Sequence, residues 1–494
     1  MADPPAKSPA AEPATSEPPA KPLPKSTVAP VPLGFVFTLW KALLLAIALG
    51  SAIGPSYDTS TELLFGAATA AHSPTDDGDA PALHPAVALL FGGSTPLLRT
   101  LATRLTRWDA LYYVKAAQRG RVFEQEWAFG VGQPALVATL LQGCRSTAVE
   151  LGLHADAVTA ALGVAVAVYA HLYAVHALYA LVELVARSKK LAYVAALLHV
   201  FSPAGIFLAA PYAEAPFAYL AFTGLLHYAR GLLLERGSWG RTKSTLWAGM
   251  LLGLATACRS NGLIYGLVFA LDLMEGLRGL FGQGADSKAA PVPRLVMSIV
   301  AAGLGGVFVG LGSLLPQTAA YFEFCGNQVF EPREWCTNLV PSIYSFVQGH
   351  YWNVGFLRYW TPGNIPLFAL AIPMLYILCA SSKAALLGRP GPGPAQGLGA
   401  ASMVRPRVDS PHATFVQALA IGQAIVAVLA FTSYHVQIIT RLASGYPLWY
   451  VWVAEQLSVT GDQTRAATGR KFVMYMVMYA VIQAILYAFF LPPA

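Results

Sequence analysis

The chain has 494 residues, 56% of them hydrophobic and only 12% charged, and its mean hydropathy is +0.53. Soluble domains carry about 25% charged residues; charge this sparse cannot cover a soluble protein of this size, and a bilayer removes the need. The net charge of +7 does not indicate a nucleic-acid partner, because the Lys and Arg residues sit in short clusters between apolar segments, as in cytosolic loops of membrane proteins.

Residues 1–32 are rich in Pro, Ala, Ser and Lys and lack an apolar core. They read as a disordered cytosolic tail, not as a cleaved signal peptide. The remainder, 33–494, reads as one transmembrane domain. Apolar segments of spanning quality fall at 33–53, 156–184, 191–209, 213–234, 294–315, 365–382, 413–433 and 472–491. The stretch 245–276 is apolar but interrupted by Arg259-Ser260-Asn261-Gly262, and 446–460 is short and aromatic. Placing every basic cluster in the cytosol makes 245–276 a hairpin of two short helices with Arg259 at its tip, and requires 446–460 to cross. The result is an all-α polytopic membrane protein with about 11 transmembrane helices. Its lumenal side carries 54–155, 317–364 and 434–445, with amphipathic interfacial helices expected at 83–105 and 131–153. The Gly/Pro-rich region within 383–412 reads as a cytosolic linker.

Four constellations could carry chemistry. Arg107-Trp108-Asp109, followed by Glu124-Gln125-Glu126-Trp127, sets carboxylates among aromatic rings. Such groups suit a general base near a sugar; they equally fit a surface ion pair beside an interfacial anchor, Trp108. Glu214, in Pro211-Tyr212-Ala213-Glu214, stands where a helix begins and could either bind substrate or favour the helix N-terminus. Arg259 lies inside an apolar stretch, a costly position that points to function. His435, Gln437 and Arg441 offer a cation and polar donors suited to a phosphate held at membrane depth. Cys325 and Cys336 share one loop, where a disulfide and two free thiols are both compatible with a lumenal position. No metal-ligand spacing or Gly-rich phosphate loop is present, and the acidic run Asp76, Asp77, Asp79 does not complete a calcium loop.

Taken in order, Trp108-Asp109, Glu124 to Phe129, Tyr212-Ala213-Glu214, Arg259 to Gly262, Pro341 to Gln348 with Tyr351-Trp352-Asn353-Val354-Gly355-Phe356-Leu357, and His435-Val436-Gln437 with Arg441 form a set. From about 105 to 445 this set resembles the PIG-V family, the second mannosyltransferases of glycosylphosphatidylinositol (GPI) synthesis. The chain departs from the family at Gln125, where a His is frequent, and at Gly130-Val131, where animal members have Phe-Pro, as expected of a fungal or algal member. The resemblance implies a GT-C glycosyltransferase of the endoplasmic reticulum membrane. Its donor would be dolichol-phosphate-mannose, its acceptor a GPI precursor bearing one mannose, and its product an α1,6-linked second mannose formed with inversion. On that reading Asp109 is the base, and Arg441, His435, Gln437 and Arg259 face the donor phosphate. Trp108, Glu124, Glu126, Glu214, Tyr351, Trp352 and Asn353 bind the acceptor. No metal or other cofactor is expected, and a small membrane partner subunit is left open. Two rivals predict different behaviour. Another transferase of lipid-linked sugars would prefer a different acceptor, and a lipid scramblase or transporter would line both leaflets with polar residues.

Overall fold

The computed structural model describes residues 31–54, 56–61, 96–150, 155–281, 291–326, 333–388, 402–406, 410–458 and 462–491. Nearly all of the predicted tail 1–32, the run Asp76 to Asp79 and most of the 383–412 linker lie outside the described residues. Among the described residues there is no strand. In chain order the α-helices are α1 (Leu33–Gly50), α2 (Pro96–Leu105), α3 (Ala110–Arg119), α4 (Gly132–Glu150), α5 (Ala155–Ala186), α6 (Lys189–Val200), α7 (Glu214–Gly231) and α8 (Trp239–Cys258). They continue with α9 (Gly266–Phe281), α10 (Val292–Cys325), α11 (Ile343–His350), α12 (Ile365–Leu387), α13 (Ala413–Thr432), α14 (Ile439–Ala443), α15 (Leu448–Ser458) and α16 (Gln463–Ala488).

The expected helical membrane class is found. α1, α5, α10, α12 with its preceding turn, α13 and α16 are long and apolar enough to cross a bilayer. The other five expected crossings, α6, α7, α8, α9 and α15, are helices of 12, 18, 20, 16 and 11 residues. They are shorter or less apolar, so length and composition do not establish the count of eleven. Burial accounts for part of this. α7 packs Ala215, Phe217, Ala218, Ala221, Phe222 and Leu225 away from the surroundings, with little need for a lipid-facing apolar stripe. α8 approaches α10 so closely that a Cβ on Gly249 would lie 2.6 Å from the Gly305 Cα, the small-residue contact by which membrane helices pack. In α1, buried Lys41 donates from Nζ to the Leu208 carbonyl at 2.9 Å, satisfying a charge that could not face lipid.

The interrupted stretch is the predicted hairpin. α8 ends at Cys258, a 3₁₀ turn covers Ser260–Tyr265, and α9 returns. The predicted loop 317–364 starts later than expected, because α10 runs to Cys325. A disulfide ties Cys325 to Cys336. Beside it the buried Trp335 packs with Ala320, Ile343 and Val347, so this region is a folded cap with its own small core.

The helix ends sort onto two faces. One gathers the start of α7, the ends of α8, α13 and α16, and the cap. The opposite face holds the end of α7 and the start of α8, where Arg236 and Arg241 pair with Asp272 of α9 at 2.6 and 3.1 Å. Arg294, at the start of α10, pairs there with Glu235, so three described arginines of the basic clusters share that second face.

Candidate active site

On the first face lies a cavity of about 490 Å³. Its lining includes Trp108, Asp109, Phe129, Arg259, Trp352, His435, Gln437 and Arg441. The structure therefore brings together residues from five separate sequence motifs.

A charged chain forms one wall. Glu214, wholly buried at the first turn of α7, accepts from Arg259 Nη1 at 2.6 Å and from Arg441 Nε at 2.7 Å, both on Oε1. Arg441 Nη1 donates to Asp109 Oδ2 at 3.0 Å. Two arginines and two carboxylates thus balance, which a buried cluster requires. The Arg441 guanidinium also lies 4.6 Å from the Phe207 ring and 4.8 Å from the Tyr212 ring. Burial opposes its charge, but Glu214, then Asp109 and Tyr212, more than offset that and hold its pKa well above the ordinary arginine value. Among the described residues, Asp109 Oδ1 and the Nη2 groups of Arg259 and Arg441 have no partner. These are the atoms left for substrate.

Local sequence explains the placement. Arg259 leaves the helix in an extended conformation, φ −150° and ψ 126°, which turns its side chain toward Glu214. Residue 130 must be glycine: a Cβ there would sit 1.9 Å from the Cys258 carbonyl, immediately before Arg259. Phe129, which precedes it, stacks on Tyr112 at 4.9 Å and meets Trp352 at 5.5 Å, making an aromatic wall opposite the charges. His435 Nε2 bonds the Trp352 carbonyl at 2.9 Å and its ring stacks on Tyr359 at 4.6 Å. Since a carbonyl only accepts, Nε2 carries a hydrogen, and Nδ1 can donate to an anion only when the ring is protonated. Gln437 lines the same side, with its Oε1 buried and unpartnered among the described residues.

Five residues expected at the acceptor, Glu124, Glu126, Glu214, Tyr351 and Asn353, lie outside the lining. Glu124 is buried and accepts from Trp335 Nε1 and from the Tyr351 hydroxyl, each at 3.0 Å. Glu126 accepts from Arg119 Nη2 at 2.7 Å and from the backbone of Val122 and Phe123. These two carboxylates staple the cap and the loop that carries Phe129. Tyr351 spends its hydroxyl on Glu124; desolvation first, and then that bond, raise its pKa. Asn353 is exposed, with a left-handed φ of 49°. Glu214 is beneath the cavity, and reaches it through the arginines. Conversely, Phe129, Asn261, Tyr344 and Gln348 line the cavity and were not singled out from sequence, although each sits in or beside a motif that was. Among the described residues, no three His, Cys, Asp or Glu side chains converge as ligands for a metal.

Residues 75–494 match the family described as mannosyltransferase (PIG-V). The chain belongs to the PIG-V mannosyltransferase family. It is 43% identical over 460 residues to a protein named GPI mannosyltransferase 2 from Gibberella zeae, covering 93% of this chain and 96% of that one. A protein of the same name from Chaetomium globosum is 44% identical, over 93% of this chain and 95% of the relative. GPI alpha-1,6-mannosyltransferase 2 of Rattus norvegicus is 31% identical, over 76% of this chain and 77% of the relative. Among solved structures, the archaeal oligosaccharyltransferase AglB of Archaeoglobus fulgidus, in complex with an inhibitory peptide and a dolichol-phosphate, is similar at a TM-score of 0.40 and 13% identity. That likeness covers 72% of this chain and 48% of the archaeal one and is too slight to build on. The family makes this protein a membrane glycosyltransferase of GPI-anchor synthesis.

Proposed function

We propose that the protein transfers the second mannose, α1,6-linked, from dolichol-phosphate-mannose to the one-mannose GPI precursor. The transfer takes place at the lumenal face of the endoplasmic reticulum membrane, with inversion and without a metal cofactor. The observation that carries the reading is the Asp109–Arg441–Glu214–Arg259 chain along a cavity on the face opposite Arg236, Arg241 and Arg294. Basic loops stay cytosolic, which supports a lumenal cavity. The linkage is supported by the name of the rat relative, GPI alpha-1,6-mannosyltransferase 2.

The geometry suits one displacement. A β-linked lipid phosphate leaving from one side of the sugar carbon gives an α bond when the acceptor hydroxyl attacks from the other. Asp109 Oδ1, open to the cavity, takes the hydroxyl proton while Arg441 holds Oδ2. Arg259 Nη2 and Arg441 Nη2 offer positive charge to the departing phosphate. Phe129 and Trp352 supply faces on which a pyranose ring can stack. A phosphate that draws Arg441 toward itself also loosens its hold on Asp109, making the carboxylate a better base once the donor is bound.

The test is a transfer assay in membranes containing the full chain, with labelled dolichol-phosphate-mannose and defined GPI precursors. The reading expects label in a dimannosylated product that an α1,6-specific mannosidase releases. Preference for a precursor without mannose, or label drawn only from a nucleotide sugar, would overturn it.

A further inference from the structure

Asp109 follows a strained residue. Trp108 has a φ of 53°, in the left-handed region that non-glycine residues rarely occupy and that persists only where neighbours enforce it. The neighbours that do so come from the end of α16, which supplied no motif. Tyr487 is fully buried, and its hydroxyl oxygen lies 2.8 Å from the Leu105 carbonyl and accepts from the Arg107 N–H at 3.1 Å. The Arg107 carbonyl is held by the Tyr212 hydroxyl at 3.0 Å. Just beyond the helix, the Leu491 carbonyl accepts from Trp108 Nε1 at 3.2 Å, and the Phe490 ring lies 5.1 Å from the Trp108 ring. The Arg107 backbone is therefore fixed by a hydroxyl from a helix 380 positions away, and the Trp108 side chain by a carbonyl just after that helix.

We infer that the end of α16 is a clamp on the catalytic loop, and that Tyr487 is a positioning residue for Asp109. The inference rests on the reading of Asp109 as the proton acceptor. Tyr487 does not itself line the cavity: its ring packs edge-on against Phe207 of the cavity wall, and its hydroxyl acts through the loop. A reacting group displaced by about 1 Å can cost on the order of a hundredfold in rate. The hydroxyl of Tyr487 therefore governs turnover without governing how tightly either substrate binds.

The test is Tyr487→Phe in the full chain, which keeps the ring and its packing. Tyr475→Phe is the control, because that hydroxyl is on the same helix and buried without a partner among the described residues. We expect Tyr487→Phe to lower kcat about 10- to 100-fold with both KM values within about twofold, and Tyr475→Phe to match the wild type. Amide exchange of a peptide spanning Arg107 should quicken in Tyr487→Phe and not in Tyr475→Phe. A kcat and an exchange rate within twofold of the wild type in Tyr487→Phe would overturn the clamp, as would an equal loss in Tyr475→Phe, which would indicate general loosening of α16. Asp109→Asn is measured alongside. Wild-type turnover there would remove the proton-acceptor reading, while exchange at Arg107 still judges the clamp.

Discussion

Arg441 and Asp109 stand 332 positions apart in the chain and 3.0 Å apart in space. The same guanidinium reaches Glu214 with its Nε, so one side chain orients the proposed base and neutralises the buried carboxylate behind it. This double duty separates arginine from lysine at the position.

Arg441→Lys keeps the charge but offers one compact head where two carboxylates wait on different edges of a planar fork. We expect the variant to accumulate in membranes and to lose about a hundredfold in turnover, because Asp109 is no longer aimed. Single-turnover transfer at saturating donor measures this directly. Turnover within threefold of the wild type would mean that the bridging geometry is dispensable.

Glu124→Gln should injure stability before chemistry. Its two oxygens accept from Trp335 and Tyr351, anchoring the cap. An amide can accept on one side only, leaving a mismatched buried contact that costs about 1–3 kcal/mol. The expected result is a lower melting temperature in detergent with turnover reduced less than tenfold. Loss of turnover with melting unchanged would return Glu124 to the acceptor site.

The Cys325–Cys336 bridge closes a short loop beside the Trp335 core. Cross-links of this kind typically contribute about 2–4 kcal/mol. Cys336→Ser should lower the melting temperature and expose the cap to protease, as followed by limited proteolysis. Free thiols at both positions in the native protein, seen by alkylation and mass spectrometry, would contradict the bridge.

Sidedness can be read at two exposed positions. In a background lacking Cys144, Cys258 and Cys379, we expect Trp239→Cys to react with an impermeant maleimide in sealed microsomes. Leu339→Cys should react only after they are opened. The reverse pattern would place the cavity in the cytosol.

Much of this arrangement was legible in the sequence, for physical reasons that can be named. An arginine amid apolar residues is expensive, so Arg259 marked the hairpin tip and its role beside the cavity. Asp109, His435, Gln437 and Arg441 stood out as polar residues gathered on one side of a membrane domain. Their pairing was not legible, because a contact across 332 positions leaves no local signal. Glu124 and Glu126 looked like sugar ligands because carboxylates near tryptophans serve that role. Their actual partners, Trp335 at a separation of 211 residues and the neighbouring Arg119, could not be ranked from spacing. Tyr487 was invisible, since a tyrosine near a helix end reads as an interfacial anchor. The late start of the 317–364 loop had a similar cause: Gln317 to Cys325 continue helical through contacts with the cap, against a polar pattern that suggested an exit.

The central claim is that Asp109 accepts the proton of the attacking hydroxyl. Asp109→Asn keeps the size of the side chain and a hydrogen-bonding partner for Arg441 but removes the proton acceptor. Mannose transfer from dolichol-phosphate-mannose to the one-mannose GPI precursor should be measured in membranes holding equal amounts of wild type and variant. The account predicts a loss of about 10²–10⁴-fold in turnover, with donor affinity retained. Near-normal turnover by Asp109→Asn would contradict it.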